Sequence, residues 1–229
     1  MNELSTINTA LQIGNDSDYD NAASTKYLQS LRFFSKGDDT VGPGHYGVKS
    51  GTTTDDLGDK IDVMVFARKM KAIDFSTANV IEVNDTKTDT YQDVKQRAQT
   101  YGSNCMEGPS YLLYERRTGQ FYELFCCSAD LKRLSAELAT YMRVTEDDVA
   151  RWEAAGKDVT DIEPHDFLPA TLTKRKQGGK YSRQVPISTE CSLPFTNLPV
   201  AETIVSEIGK FLTVRNDGVA VRSGTASVR

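Results

Sequence analysis

Two stretches hold residue types suited to a phosphate-bearing polymer. Tyr111–Cys127 (YLLYERRTGQFYELFCC) places Tyr114, Arg116, Phe121 and Tyr122 around a Gly-containing turn. Ala170–Ile187 (ATLTKRKQGGKYSRQVPI) gathers Lys174, Arg175, Lys176, Lys180 and Arg183 around Tyr181 and a Gly178-Gly179 tip. Aromatic rings stack on bases whatever their sequence, at about 1–3 kcal/mol per base. Lysine and arginine hold phosphates with an affinity that falls as salt rises. Together the ten residues Tyr114, Arg116, Phe121, Tyr122, Lys174, Arg175, Lys176, Lys180, Tyr181 and Arg183 predict a site for single-stranded nucleic acid. A core hairpin with a solvated tip is the plainer reading of the first stretch, and a solvated charged end that of the second.

Hydrolytic chemistry has one foothold. Val80–Lys87 (VIEVNDTK) sets Asp85 and Lys87 after a strand, spaced like the acid-x-Lys half of a restriction-type nuclease, with Asp62 or Asp74 as the second acid. Such a site needs carboxylates for Mg²⁺ and a lysine beside the attacking water. Asn84-Asp85 reads equally as an ordinary turn. Cys105, Cys126, Cys127 and Cys191 have no metal-binding spacing, and neither His45 nor His165 completes a zinc set or a Ser/His/Asp arrangement. No cofactor is predicted. Asp16, Asp18 and Asp20 lack the Gly and distal Glu of a calcium loop.

The 229 residues are 38% hydrophobic and 26% charged, with a net charge of −5. That is the balance of a soluble globular protein, long enough to bury a sizeable core. It excludes a generally basic coat but leaves room for a local basic groove. No apolar run approaches a membrane span, and Met1–Ala10 lacks the basic and apolar regions of a secretory signal. Both point to the cytoplasm.

The elements that must position these residues read as follows. Residues 1–26 form a polar arm, and 27–212 a single folded domain with helical insertions. Residues 213–229 are a Ser/Gly/Val/Arg-rich tail. Tyr27–Phe34 opens the ordered part; Ser35–Gly58, broken by Gly37, Pro43, Gly44, Gly47 and Gly51, reads as loop. Lys60–Phe75 is the strongest strand, with Ile61, Val63 and Val65 alternating before Arg68, Lys69 and Lys71. Val80–Val83 is a short strand and Asp89–Ala98 a short helix. Tyr111–Cys127 is a hairpin; with Thr118-Gly119 as a two-residue loop, Arg116 faces Phe121, Tyr114 faces Glu123 and Leu112 faces Phe125. Leu113 and Leu124 then point inward, with Arg116, Phe121 and Tyr114 toward the ligand. Ser128–Met142 and Thr145–Ala155 are helices with Ser and Thr caps. Trp152 is a packing anchor, Ala170–Ile187 a second hairpin, and Pro199–Leu212 an amphipathic helix.

This order predicts a mainly β (α+β) chain, an OB-fold-like antiparallel Greek-key barrel with added helices. The chain resembles a group of phage-encoded proteins related to OB-fold single-stranded-DNA-binding proteins. The likeness runs from Leu31-Arg32-Phe33-Phe34 through Gly42-Pro43-Gly44 and the Asp56–Lys60 turn into Ile61–Arg68. It continues with Tyr122–Leu124 and TLTKRKQGGKYSRQVPI, covering about residues 30–190. It implies protection of single strands during viral DNA replication or recombination, in a host cytoplasm, with replication or recombination proteins as partners; a homo-oligomer is compatible. The chain departs from that group's frequent acidic tail, ending GTASVR with Arg222 and Arg229. The alternative class is a virion or regulatory protein that acts through protein contacts.

Overall fold

A computed structural model describes residues 28–50, 53–76, 81–127, 129–142, 144–160, 162–164, 169–177, 180–184 and 198–213. The proposed arm, most of the tail, Ser128, His165, Cys191 and the Gly178-Gly179 tip lie outside the described residues. The elements are β1 (Gln29–Phe34), β2 (His45–Ser50), β3 (Thr53–Gly58), β4 (Ile61–Asp74), β5 (Ile81–Val83) and α1 (Asp89–Ala98). There follow β6 (Cys105–Glu115), β7 (Gln120–Phe125), α2 (Ala129–Met142), α3 (Glu146–Ala154), β8 (Pro169–Gln177), β9 (Lys180–Gln184) and α4 (Ala201–Leu212).

The protein is mainly β with some helix, built on a strongly curled half-barrel sheet. The strands lie in the order β3-β2-β1-β7-β6-β4-β8-β9, with β5 paired to the end of β4. Every described pairing is antiparallel except one. β1 runs parallel to β7 at Gln29–Tyr122 and Ser30–Glu123, so the expected all-antiparallel sheet is corrected at that junction. Curling brings β2 toward β8, where the Tyr46 hydroxyl donates to the Thr173 carbonyl at 3.0 Å.

The inside of the curl is the main core. Leu31, Tyr46, Val48, Leu57, Val63, Tyr111, Leu113, Tyr122, Leu124 and Leu172 meet Leu134, Leu138 and Tyr141 of α2 and Trp152 of α3. Trp152 is thus an anchor, 6.4 Å from the Tyr141 ring. α3 starts on a capping box between Thr145 and Asp148, which satisfies donors that a helix start otherwise leaves unpaired. α4 lies on the opposite face, where Ile204, Ile208 and Phe211 cover Met64, Phe66, Ala67, Leu112 and Tyr114.

β2 and β3 correct the expectation of a loop over Ser35–Gly58. Their glycines mask a strand pattern: Tyr46 and Val48 are buried, while Lys49 between β-paired neighbours is exposed. β4 carries a bulge between Val65 and Ala67. Phe66 and Ala67 consequently enter the same cluster under α4. One extra residue reverses the alternation, and that puts Lys69 and Lys71 on the α4 side.

Candidate nucleic-acid interface

The first hairpin has a four-residue turn, Arg116–Gly119, instead of the expected two-residue loop. Glu115 pairs with Gln120, Tyr114 with Phe121 and Leu112 with Glu123. The cause is Glu115, which is buried. Its Oε1 accepts the Arg117 N–H at 3.0 Å and its Oε2 the Thr118 N–H at 2.7 Å. Its carbonyl accepts the Gly119 N–H at 3.0 Å. Gly119 has a φ of 64°, which an L side chain adopts at a cost. The pairing moves by two residues, so each side chain keeps the face that the expected register assigned.

What covers those faces is different. Tyr114 is only 3% exposed and Tyr122 4%. Tyr114 packs under α4, its ring 5.1 Å from that of Phe121, which is half-buried on the same cluster. Tyr122 lies in the main core, its hydroxyl donating to Thr118 Oγ1 at 3.1 Å. Burying the side chains of Ile204, Ile208 and Phe211 is worth roughly 1.5–3 kcal/mol each. That total exceeds what one or two stacked bases return, so α4 is part of the core and neither tyrosine presents a face to a base. Arg116 is half-buried at the turn and Arg117 beside it is exposed.

The two hairpins meet at the start of β4. Val63 pairs with Glu115 of β6 on one edge and with Ala170 of β8 on the other. The Arg116 N–H donates to the Asp62 carbonyl at 3.0 Å, and the Thr171 hydroxyl to Asp62 Oδ1 at 2.7 Å. Adjacent strands are spaced about 4.8 Å apart, so β6 and β8 run on the order of 10 Å apart across β4. β8 continues past Ile61, where Lys174 Nζ stands 3.0 Å from Asp59 Oδ2 in the β3–β4 turn. That hydrogen bond and the ammonium charge hold the Asp59 carboxyl below its ordinary range. Lys60 beside it is exposed.

Further along the second hairpin, Lys174 pairs with Arg183, Arg175 with Ser182, Lys176 with Tyr181 and Gln177 with Lys180. The side chains of Arg175, Lys176, Lys180, Tyr181 and Arg183 lie outside what the structure describes. Their backbone positions extend the same end of the sheet that carries Arg116, Arg117 and Lys60. Sequence reasoning missed Arg117 and Lys60. Arg117 sits in the same RR pair as Arg116, and Lys60 becomes a candidate only once β3 is recognised as a strand.

The acid-x-Lys stretch is engaged locally. Asp85 Oδ1 accepts the Lys87 N–H at 3.0 Å and its carbonyl the Thr88 hydroxyl at 2.9 Å, just before α1. Asp74 is bonded to Ser76 and paired with Arg97 at 2.8 Å. Asp62 is at the other end of the fourteen-residue β4. Among the described residues, no three His, Cys, Asp or Glu side chains stand close enough together to hold a metal ion. Among the same residues, no helix is long and apolar enough to cross a membrane.

No family model matches the chain, and no curated protein or solved structure matches it either.

Proposed function

We propose that the protein binds single-stranded DNA without sequence preference and protects it during replication or recombination. The observation that carries this reading is the attachment of both cationic hairpins to the start of β4, where Val63 and Met64 pair with β6 on one edge and with β8 on the other. Phosphates run across that end, held by Arg116, Lys174 and the positions Arg175, Lys176, Lys180 and Arg183. Arg117 and Lys60 add to the field. With Tyr114 and Tyr122 in the core, stacking falls to Tyr181 and the half-buried Phe121. The affinity is therefore mainly ionic, and its salt dependence steep.

The OB-like reading of the sheet belongs to the same proposal. In that fold ligands lie between two long hairpin loops. What supports that reading is the approach of the start of β2 to β8, where the Tyr46 hydroxyl donates to the Thr173 carbonyl at 3.0 Å. Replication or recombination proteins are the partners this role implies.

Fluorescence anisotropy of labelled single- and double-stranded oligonucleotides tests the proposal, titrated against salt with and without Mg²⁺, with the product run on a gel. Selective single-strand binding that is lost in high salt without cleavage supports it. Mg²⁺-dependent cleavage abolished by Asp85→Ala favours a nuclease instead. No binding at low salt contradicts both and leaves a protein-contact role.

A further inference from the structure

The outer face of the β1–β3 meander carries an aromatic ring, Phe34, near two exposed cations, Arg32 and Lys49. On β1, Leu31 and Phe33 point into the main core, which turns Arg32 and Phe34 to the other side. Arg32 pairs with Gly47 and Phe34 with His45. Lys49, two residues from Gly47, pairs with Thr54 on β3, so it is the diagonal neighbour of Arg32, on the order of 7 Å away. Arg32 and Lys49 are exposed and Phe34 half-buried.

A Cβ added at Gly47 would stand 3.0 Å from Phe34 Cε2, so the ring reaches the glycine across the strand pair and stays half-exposed. Covering Gly47 accounts for the ring's posture but not for its neighbours. Like charges on neighbouring sheet positions repel, and the chain as a whole is acidic, with a net charge of −5. Even so, neither Arg32 nor Lys49 has an ion-pair partner among the described residues. Asp56, which pairs with Gly47 on this face, is occupied by His45, Nδ1 to Oδ2 at 2.9 Å. Two cations near one ring, without an ion-pair partner among the described residues, complement one unit of a single strand: a base on the ring and a phosphate at each cation.

We infer that this face is a second contact for single-stranded nucleic acid, separate from the basic end of β4 and β8. A base stacks on Phe34 while flanking phosphates bind Arg32 and Lys49. The inference rests on the proposed single-strand binding, and it extends the path of the strand around the outside of the curl.

The test is anisotropy of a labelled oligothymidine across a salt series, with three variants of the full chain whose melting is checked first. Phe34→Leu still covers Gly47 but removes the π-face; affinity falls by roughly 5-fold or more with an unchanged salt slope, as loss of one stacked base requires. Arg32→Ala with Lys49→Ala lowers the slope by about 1.4, the value for two phosphate contacts on a single strand. Both residues are exposed, so this pair remains decisive if Phe34→Leu melts early. Lys174→Ala serves as the control for the other site. If Lys174→Ala weakens binding while the Phe34 and Arg32/Lys49 variants keep the parent affinity and slope, the second contact is overturned and the basic end stands. If the parent chain does not bind, the proposed function falls and this contact falls with it.

Discussion

The main-chain N–H of Arg116 donates to the carbonyl of Asp62 across 3.0 Å. That bond joins a hairpin tip to the start of the central strand, and β8 lies against the same residues from the other edge. Two basic segments more than fifty residues apart in sequence thus become neighbours through β4.

The shape of the tip depends on Glu115. Glu115→Ala leaves the Arg117 and Thr118 N–H groups without their acceptor, and a lost buried acceptor costs about 1–3 kcal/mol. Urea denaturation should show that loss. The variant also removes a negative charge, which by charge alone would strengthen binding to an oligonucleotide. Weaker binding is expected, because Arg116 and Arg117 are no longer held; stronger binding would show that the turn does not position them.

Lys71 is buried between two carboxylates, 2.9 Å from Glu82 Oε1 and 3.0 Å from Glu123 Oε1, and Ser110 also donates to Glu123 at 2.7 Å. Burial alone would push the Glu123 carboxyl up, but Lys71, Lys69 and Ser110 outweigh it and hold it below the ordinary range. Removing one partner of a buried pair strands the other charge, at about 3–5 kcal/mol. Lys71→Met is therefore expected to lower stability by about that much, and adding Glu123→Leu to restore a large part of it. A double-mutant cycle in urea measures the coupling; additive losses would contradict it.

Asp74 links stability to acid. Burial would raise its pKa, yet the hydroxyl and N–H of Ser76 and the Arg97 guanidinium bring it down to about 2. A carboxylate depressed in the folded state stabilises fully above its unfolded pKa and loses that contribution as pH falls through the folded value. Stability should drop by on the order of 2 kcal/mol between about pH 4 and pH 2. Asp74→Asn is expected to flatten that part of the profile, measured as melting temperature against pH. An unchanged profile would place the acid sensitivity elsewhere.

α4 is expected to act as core. Phe211→Ala should cost about 3–5 kcal/mol, because Phe211 packs from α4 into the cluster of Met64, Phe66, Leu112 and Tyr114 while Lys69 holds the ring face at 4.3 Å and the Phe211 carbonyl at 2.7 Å. A shift of the urea midpoint is the measurement. Tighter oligonucleotide binding with no loss of stability would instead make α4 a removable cover over Tyr114 and Phe121.

The regular elements were legible where local signals agree. α1 matches its sequence reading over Asp89–Ala98, and the strand of Lys60–Phe75 is present as Ile61–Asp74. β2 and β3 were not legible, since Gly47 in β2 and Asp55, Asp56 and Gly58 in β3 have low strand propensity and are held by pairing with their neighbours. The face of each hairpin residue was readable from alternation, but its exposure was not. Tyr114 looks available until α4, ninety residues later, is seen to cover it. Two features needed three dimensions: the bulge at Phe66, which reverses the alternation of β4, and the meeting of β6 and β8 on Val63. The first depends on a packing choice and the second on topology.

The central claim is that the basic end of β6, β4 and β8 grips phosphates of a single strand. Its most direct test is the salt slope of oligothymidine binding for the parent chain and for Lys174→Ala/Arg175→Ala/Lys176→Ala. The account predicts weaker binding and a slope about 2 shallower, as three lost single-strand phosphate contacts require. An unchanged slope would contradict it.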